Sequence, residues 1–402
     1  MPNERRLRVA IVGGGLGGLA AACTLAARGH EVVLAERNNW LGGKATELRQ
    51  GGYRFDMGPT ILTMPEVLKR IFAEADRDLD DELDLVELDP QWRLFFDAGS
   101  QFDLHADLET MCGELEEFGD KEKLSRGYRR FMESSQHLHE ITEKYFFWES
   151  VGSVGDVMDE DEAGVFRTLW DVLHMRPGHT VAGTVRHFIP DARVAQMADH
   201  FTQYVGSSPY KAPAVLCGIA HIQTEQGEWY PQGGIRTLPR ALEKLAGDLG
   251  VEMRTGARVR RILHDGDRAT GVALAGGEEI QADAVISNSD VVLTHKELLD
   301  QDLANAFQRR RAHEPACSGV VLFLGLKERY PHLLHHNFVF SRDPEEEFDA
   351  IYDQGRPAPD PTCYVCAPSN TDPSVAPEGG EALYVLVHTP HLRPAHNWHR
   401  ML

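Results

Sequence analysis

The stretch Val9-Ala-Ile-Val-Gly-Gly-Gly-Leu-Gly-Gly-Leu19 decides the predicted fold of the first part of the chain. A short apolar run occupies residues 7–13, residues 16–29 have helical spacing, and a second apolar run covers residues 31–36. Apolar runs of this length on both sides of a helical segment predict a β-α-β unit. The glycines then lie at the turn from the first strand into the helix.

Three of these glycines have the GxGxxG spacing of dinucleotide-binding turns. Gly13 would form the tight turn, Gly15 would let a pyrophosphate approach the backbone, and Gly18 would let the helix pack closely on the sheet. The helix N-terminus presents unpaired N–H groups and a positive dipole end to phosphates. Glu36 ends the second apolar run and can accept hydrogen bonds from ribose hydroxyls. The pattern predicts dinucleotide binding rather than a purely structural glycine turn.

A second glycine cluster, Leu41-Gly-Gly-Lys-Ala45, follows almost directly. It comes too soon after Glu36 to belong to the next crossover helix of a simple nicotinamide-binding fold. A Gly-Gly pair would let the backbone lie close to a ligand while Lys44 neutralises a phosphate. This favours a flavin dinucleotide, and the alternative is a flexible turn with a solvated lysine.

The length of 402 residues predicts two domains, since domains usually have about 100 to 200 residues. Long helix-like stretches interrupt the glycine-rich, strand-forming pattern and then give way to it again. The predicted fold class is α/β, with a Rossmann-type dinucleotide-binding domain interleaved with an α+β domain. The expected boundaries are 1–75 with 225–294 for the first domain, and 76–224 with 295–402 for the second.

The charge excludes some partners. A formal net charge of -21 opposes binding to the phosphate backbone of nucleic acids and to anionic lipid headgroups.

The first apolar run is broken by glycines, so its pattern is not that of a signal peptide. No stretch has the ~18 apolar residues of a membrane span. The protein is expected in the cytoplasm, with peripheral membrane contact through apolar area. Candidates for that contact, or for a tunnel wall, are Tyr145–Trp148 and Leu169–Met175, with ordinary core as the alternative.

The six cysteines are scattered, which suits a reducing compartment. Cys363-Tyr-Val-Cys366, with His388 and His391 downstream, has the residue types of a zinc site. The apolar residues around these positions instead indicate buried strands, so no metal site is expected.

The N-terminal motifs resemble the extended flavin signature of the amine oxidase and carotenoid desaturase superfamily. Later blocks, in chain order, are similar to the bacterial-type phytoene desaturases: Phe55-Asp-Met-Gly-Pro-Thr60, Tyr204-Val-Gly-Ser-Ser-Pro209, Gly227-Glu-Trp-Tyr-Pro-Gln-Gly-Gly234, Ala282-Asp-Ala-Val-Ile-Ser-Asn-Ser-Asp290, His336-Asn-Phe338 and Ala376-Pro-Glu-Gly379. The family pattern continues beyond Leu402 with a further glycine- and proline-rich motif, so the chain is expected to lack that C-terminal segment.

The resemblance implies FAD as the cofactor and a role for each matching position. The implied cofactor-binding residues are Gly13, Gly15 and Gly18 at the pyrophosphate, Glu36 at the ribose, Gly43 and Lys44 at the phosphate and flavin side, Gly58, Pro59 and Thr60 near the flavin, and Val259 at the adenine edge, together with Leu16, Gly17 and Arg37. Asp56, His187 and His336 are available for acid-base chemistry, but none is assigned a catalytic role.

The resemblance also implies an activity, namely desaturation of phytoene or a related acyclic carotenoid by hydride transfer to the flavin. Oxygen or a quinone would accept the electrons, and the pathway would be carotenoid biosynthesis. Two alternatives stay open. One is another polyene flavoenzyme, such as an isomerase, saturase, ketolase or protoporphyrinogen oxidase; the other is a flavin-free isoprenoid-binding protein.

Overall fold

The computed structural model describes residues 5–118, 121–148, 170–171, 173–310, 314–393 and 396. Contacts divide the chain into two compact units, each made of two segments. Unit 1 contains Met1–Val86 and Trp229–Glu314, and unit 2 contains Glu87–Glu228 and Pro315–Leu402.

The strands in these ranges are, in chain order, β1 Arg8–Val12, β2 Glu31–Ala35, β3 Glu47–Gln50, β4 Tyr53–Asp56, β5 Leu85–Glu87, β6 Trp92–Phe95, β7 Gln101–Leu104, β8 Trp229–Pro231, β9 Glu252–Arg254, β10 Val259–Asp265, β11 Arg268–Leu274, β12 Glu279–Gln281, β13 Ala284–Ser287, β14 Ser318–Leu326, β15 His336–Val339, β16 Cys363–Cys366 and β17 Glu381–Thr389. The α-helices are α1 Leu16–Ala27, α2 Pro65–Ala73, α3 Leu108–Phe118, α4 Lys121–Thr142, α5 Val181–Phe188, α6 Ala192–His200, α7 Gly218–Glu225, α8 Thr237–Asp248, α9 Val291–Leu293, α10 Gln301–Arg310 and α11 Pro344–Phe348. None of these helices has the length and apolarity that a membrane crossing requires.

The predicted β-α-β unit is confirmed by β1, α1 and β2. Four of the five residues of β1 are buried, as are four of the five of β2. Such apolar strands suit the centre of a parallel sheet, where both faces are covered. Helix α1 begins after Gly15 and ends before Gly29, whose φ of +87° is accessible to glycine at little cost.

Unit 1 is organised around a four-stranded sheet in the order β13-β1-β2-β9, with every pair parallel. On one face, Val9 and Ile11 belong to the same buried cluster as Leu19 of α1 and Leu242 of α8. On the other face, Ala10 and Val12 pack with the three-stranded antiparallel sheet β10-β11-β12. Because β13, β1 and β2 are parallel, their carboxyl ends lie at the same edge of the sheet.

The unit boundaries at 86, 228 and 314 differ from the expected boundaries at 75, 224 and 294. Leu79 and Leu83 extend unit 1 because they are buried in its main hydrophobic cluster. Strand β5 then pairs with β8. Leu298 is buried beside the β10-β11-β12 sheet, which keeps the residues after 294 in unit 1. Local sequence patterns did not show these long-range contacts.

Unit 2 has a six-stranded sheet in the order β14-β17-β16-β15-β6-β7. The pair β15–β6 is parallel, and the other pairs are antiparallel. The described helices between residues 108 and 225, α3 to α7, belong to this unit. A mixed sheet with segregated helices confirms the predicted α+β class of the second domain.

A candidate dinucleotide groove and a buried polar network

A groove of about 1050 Å³ lies at the carboxyl edge of the parallel sheet in unit 1. Parallel α/β sheets bind ligands at this edge. The volume is at the upper end of the roughly 300–1,000 Å³ of small-molecule sites, as a dinucleotide requires. The lining residues are Val12, Gly13, Gly15, Leu16, Ala35, Glu36, Arg37, Asn38, Gly42, Gly43, Lys44, Ala45, Pro59, Arg258, Val259, Asn288, Ser289, Asp290, Leu293, Glu297 and Leu298.

Most of the predicted cofactor residues are brought together in this groove. They are Gly13, Gly15, Leu16, Glu36, Arg37, Gly43, Lys44, Pro59 and Val259. Four others, Gly17, Gly18, Gly58 and Thr60, are not among the lining residues. Their roles at the cofactor stay predictions, although two of them have a clear packing function.

Gly18 and Gly58 allow close backbone contacts. A Cβ atom at Gly18 would lie 2.0 Å from the carbonyl oxygen of Gly13, so the residue must lack one for α1 to approach the turn. A Cβ atom at Gly58 would lie 2.1 Å from the carbonyl oxygen of Lys44. Gly13 itself has a φ of +97°, which side chains disfavour. The glycines thus shape the groove from behind as well as lining it.

The two glycine clusters contact each other directly. The backbone N–H of Gly42 donates to the carbonyl oxygen of Gly14 at 2.7 Å, and Gly15 and Gly42 form an isolated parallel β-bridge. A Cβ atom at Gly43 would lie 3.1 Å from the Cα of Gly15. The Arg236 guanidinium holds the second cluster from outside by donating to the carbonyl oxygen of Leu41. The clusters therefore form one continuous backbone wall.

The Glu36 side chain is only 5% exposed and supports the glycine turn. Its Oε2 accepts the N–H of Gly14 at 2.8 Å, and its Oε1 accepts the N–H of Asn38 at 2.8 Å. A carboxylate has about four acceptor positions, so both oxygens can also accept a hydroxyl of a bound ribose. The residue thus has a structural role in addition to the one predicted for it.

These observations fit a dinucleotide. Within the described residues, no side chain caps the N-terminus of α1 at Gly15, which leaves its first N–H groups for an anion. Lys44 and Arg37 add positive charge along the groove. The glycine wall, Lys44 and Val259 are the residues that would hold such a nucleotide.

Sequence reasoning did not identify the groove residues after β13. Asn288, Ser289 and Asp290 directly follow a strand that pairs in parallel with β1. The signal was present, because residues 282–290 form one of the family-like blocks. Only the strand order shows that this block ends beside the first glycine turn.

A second cluster of functional-type residues lies within unit 2, where a buried polar network joins three of the family-like blocks. Oε1 of Glu228 lies 2.9 Å from Nε2 of His336, and both side chains are fully buried. The angles at this contact do not meet hydrogen-bond geometry, so it is a close polar contact only. Gln223 donates to Oε2 of Glu228 at 2.9 Å and accepts the hydroxyl of Tyr204. The hydroxyl of Tyr364 lies 2.7 Å from Nδ1 of His336, within hydrogen-bonding geometry.

Burial decides the protonation states of the central pair. Loss of solvation raises the pKa of Glu228 well above its ordinary value, and it lowers the pKa of His336 to about 3. Burial therefore favours the uncharged form of each group, a protonated carboxyl beside a neutral imidazole. Such a pair avoids the large desolvation cost of a buried ion pair.

The remaining candidates for acid-base chemistry occupy unlike surroundings. Oδ2 of Asp56 accepts the N–H of Ile235 at 3.1 Å, and His187 is exposed on α5.

Cys363 and Cys366 lie three residues apart on β16, so their side chains point to opposite faces and cannot share a metal ion. Cys366 instead lies near His335 and His336, with their potential ligand atoms within 4.8 Å of one another.

Curated relatives match nearly the whole chain. The chain is 39% identical over 394 residues to the 4,4'-diapolycopene oxygenase of Methylomonas sp, covering 98% of the chain and 78% of that protein. It is 38% identical over 391 residues to the zeta-carotene-forming phytoene desaturase of Myxococcus xanthus, covering 97% and 74%. It is 36% identical over 386 residues to the 4,4'-diaponeurosporene oxygenase of Staphylococcus haemolyticus, covering 96% and 76%.

Solved structures show the same fold at lower identity. An oxidoreductase from Methanosarcina mazei has a TM-score of 0.62 at 19% identity, over 96% of this chain and 79% of that one. The Rab GDI of Plasmodium falciparum has a TM-score of 0.52 at 13% identity, over 97% and 84%. At such identities, the likeness concerns the fold alone.

The sequence profile of one protein family matches most of the chain. The profile described as flavin containing amine oxidoreductase matches residues 16–388, which include the whole of α1 and the second glycine cluster. The implied cofactor class is therefore a flavin, and the relatives above modify carotenoids. On this match and on these relatives, the chain belongs to the flavin-containing amine oxidoreductase family, in which it is similar to carotenoid desaturases and oxygenases.

Proposed function

We propose that the protein is an FAD-dependent desaturase that removes two hydrogens from phytoene or a related acyclic carotenoid. The observation that carries the proposal is the groove formed by the two bridged glycine clusters, within a chain similar over its length to carotenoid-modifying enzymes. FAD is preferred to FMN because the groove is lined by Val259, predicted at the adenine edge, as well as by Lys44 and Pro59, predicted on the phosphate and flavin side. FMN would leave the Glu36 end empty.

Bound FAD would supply the two-electron acceptor for the C–H bonds of the substrate, and oxygen or a quinone would reoxidise it. The residues of this chain have a different task. The glycine wall and the α1 N-terminus bind the pyrophosphate, Lys44 neutralises it, and Glu36 orients the ribose. A polyene C–H bond is barely acidic, so one hydrogen would leave the substrate as a hydride. The other would leave as a proton from the resulting allylic cation, which is acidic enough to lose it to water, and no residue is assigned as an acid-base catalyst.

A second candidate is oxygenation of a carotenoid, because two of the relatives above are named as oxygenases. The same groove serves both reactions, so only the product separates them. A third candidate, a flavin-free isoprenoid carrier, is disfavoured by the intact groove residues. Gly15 and Glu36 also shape the turn, but Lys44 in the groove and the uncapped N-terminus of α1 would have no task in a chain that bound no dinucleotide.

The test is to incubate the FAD-loaded protein with phytoene in liposomes, with a quinone under nitrogen or with air. We expect a product that has lost two hydrogens per step and absorbs at longer wavelength. A product that has gained oxygen would support the oxygenase. A protein that bound the polyene but retained no FAD would support the carrier. Absence of any product with acyclic C30 and C40 carotenes would refute the desaturase.

We also propose that the protein is cytoplasmic and contacts the membrane peripherally through an aromatic patch in unit 2. The patch consists of Phe146, Phe147, Trp148, Trp170 and Leu173, whose side chains are all exposed. Its two segments are joined by the hydroxyl of Tyr145, which donates to Asp171 at 2.8 Å. Residues 169 and 172, which belong to the same predicted candidate, lie outside the described residues.

Membrane binding through this patch is expected to be apolar rather than electrostatic. Tryptophan side chains favour the membrane interface, and the net charge of -21 opposes binding to anionic lipids. The Trp170→Ser variant should therefore lose most of its co-flotation with phosphatidylcholine vesicles, with little dependence on salt. Trp40→Ser, which removes an exposed tryptophan in unit 1, is the matched control. Equal flotation of the two variants would contradict this assignment.

A further inference from the structure

Asn288 lies where the parallel sheet meets the first glycine turn. It directly follows β13, and its backbone N–H donates to the carbonyl oxygen of Val12 at 2.8 Å. This bond extends the pairing of β13 with β1 to the last residue before Gly13. Asn288 is exposed and lines the groove.

The side-chain amide of Asn288 fills the space beside three glycines of the turn and of α1. A Cβ atom at Gly17 would lie 2.7 Å from Oδ1 of Asn288. Cβ atoms at Gly15 and Gly18 would lie 3.1 Å and 3.2 Å from its Nδ2. The absence of side chains at these positions leaves room for the amide, although at Gly18 the closer contact of a Cβ atom would be with the carbonyl oxygen of Gly13.

The side-chain amide of Asn288 is an uncharged hydrogen-bond donor. It lies in the groove, where a negatively charged side chain would repel a phosphate. Nδ2 of Asn288 is 3.4 Å from the carbonyl oxygen of Gly13, a long contact that leaves the donor group available to a ligand. The carboxylate of the neighbouring Asp290 is engaged, because it accepts the N–H groups of Val292 and Leu293. An amide beside the turn can donate to a phosphate without adding negative charge to the groove.

We propose that Asn288 is a positioning residue of the dinucleotide groove, which it serves by bracing the glycine turn and by donating to the diphosphate of the ligand. This inference rests on the proposed binding of FAD. The groove lies at the carboxyl ends of three strands. The turn after β1 and Glu36 after β2 already have proposed roles, and Asn288 adds one after β13. The ligand class is an anionic nucleotide diphosphate.

The contact with the ligand is tested by the charge of the side chain. Asn288→Asp should weaken FAD binding by about tenfold at low salt, because it sets a carboxylate against the diphosphate, and less at high salt. Asn288→Ala should weaken it less and with no added salt dependence. Asn305→Asp, which adds the same charge on α10 outside the lining residues, should leave the dissociation constant unchanged. Binding is measured by quenching of FAD fluorescence.

The contact with the turn is tested without ligand by a double-mutant cycle. Gly17→Ala adds helix propensity in α1, but in the protein freed of flavin its new methyl group also meets Oδ1 of Asn288. The substitution should therefore raise the urea midpoint clearly more in the Asn288→Ala background, where the space is free, than in the unsubstituted background. Independent, additive shifts would overturn the bracing role.

The outcomes separate this inference from the function on which it rests. If the unsubstituted protein bound no FAD, the proposed function and the ligand contact would both be refuted. The bracing role would then be supported only if the double-mutant cycle showed non-additive shifts for Gly17 and Asn288. If the protein bound FAD and Asn288→Asp bound it equally well at low salt, the ligand contact alone would be refuted. Equal losses in Asn288→Asp and Asn288→Ala at every salt concentration would reduce Asn288 to a structural residue.

Discussion

The Gly18→Ala variant is expected to lose its dinucleotide groove and much of its stability. The added Cβ would lie 2.0 Å from the carbonyl oxygen of Gly13, which is a backbone atom that no side-chain rotation can remove. Gly18 is buried where α1 packs on the sheet, so α1 or the turn must shift. Overpacking of this kind costs about 1–3 kcal/mol for side-chain contacts, and more is expected against backbone. Urea unfolding and retention of flavin through gel filtration measure the two losses.

Gly113→Ala is the matched control for that variant. Gly113 is an exposed residue of α3, and an added Cβ there would meet no side chain or neighbouring segment within 4 Å. Alanine favours a helix over glycine by about 1 kcal/mol, so this variant should unfold at the same or a higher urea concentration. An unchanged midpoint and full flavin retention in Gly18→Ala would show that the turn tolerates a side chain.

The Glu228→Gln variant is expected to become more stable relative to the unsubstituted protein as the pH rises. Burial raises the folded-state pKa of Glu228, so this side chain keeps its proton in the folded state after it has lost it in the unfolded chain. A raised carboxyl pKa contributes stability that is fully present below the unfolded value of about 4.5 and is lost as pH rises toward the folded value. The loss is about 1.4 kcal/mol per pH unit, and glutamine, which does not titrate, avoids it.

The replacement also suits the local contacts. A glutamine at position 228 keeps an oxygen that can accept from Gln223, and its amide can donate toward Nε2 of His336 as a protonated carboxyl would. The measurement is urea unfolding of both proteins between about pH 5 and about pH 8, with Glu116→Gln on the exposed surface of α3 as control. If Glu228 and His336 formed a buried ion pair instead, Glu228→Gln would lose about 3 kcal/mol or more near neutral pH, which would refute the neutral pair.

These two predictions depend on different kinds of information. The role of Gly18 in close helix-sheet packing was predictable from its spacing to Gly13 and Gly15, because the β-α-β unit is a local structure within one short segment. The contact of Glu228 with His336 was not, since the two residues are far apart in the chain and each block looked like an ordinary strand or turn. Burial then disfavours the charged form of both residues, which raises the pKa of Glu228 and lowers that of His336.

The sequence alone determined the class of the first domain, the position of its glycine turn and most residues of the groove. It could do so because strand periodicity, helix spacing and glycine placement are properties of neighbouring residues. Tertiary structure decided that Gly42 bridges to Gly15, that Asn288 lies against the same turn, and that unit 1 extends to residues 86 and 314. The position of Asn288 follows from the strand order β13-β1-β2-β9, and the unit boundaries follow from buried residues such as Leu83 and Leu298. Both depend on which distant segments bury the same apolar surface.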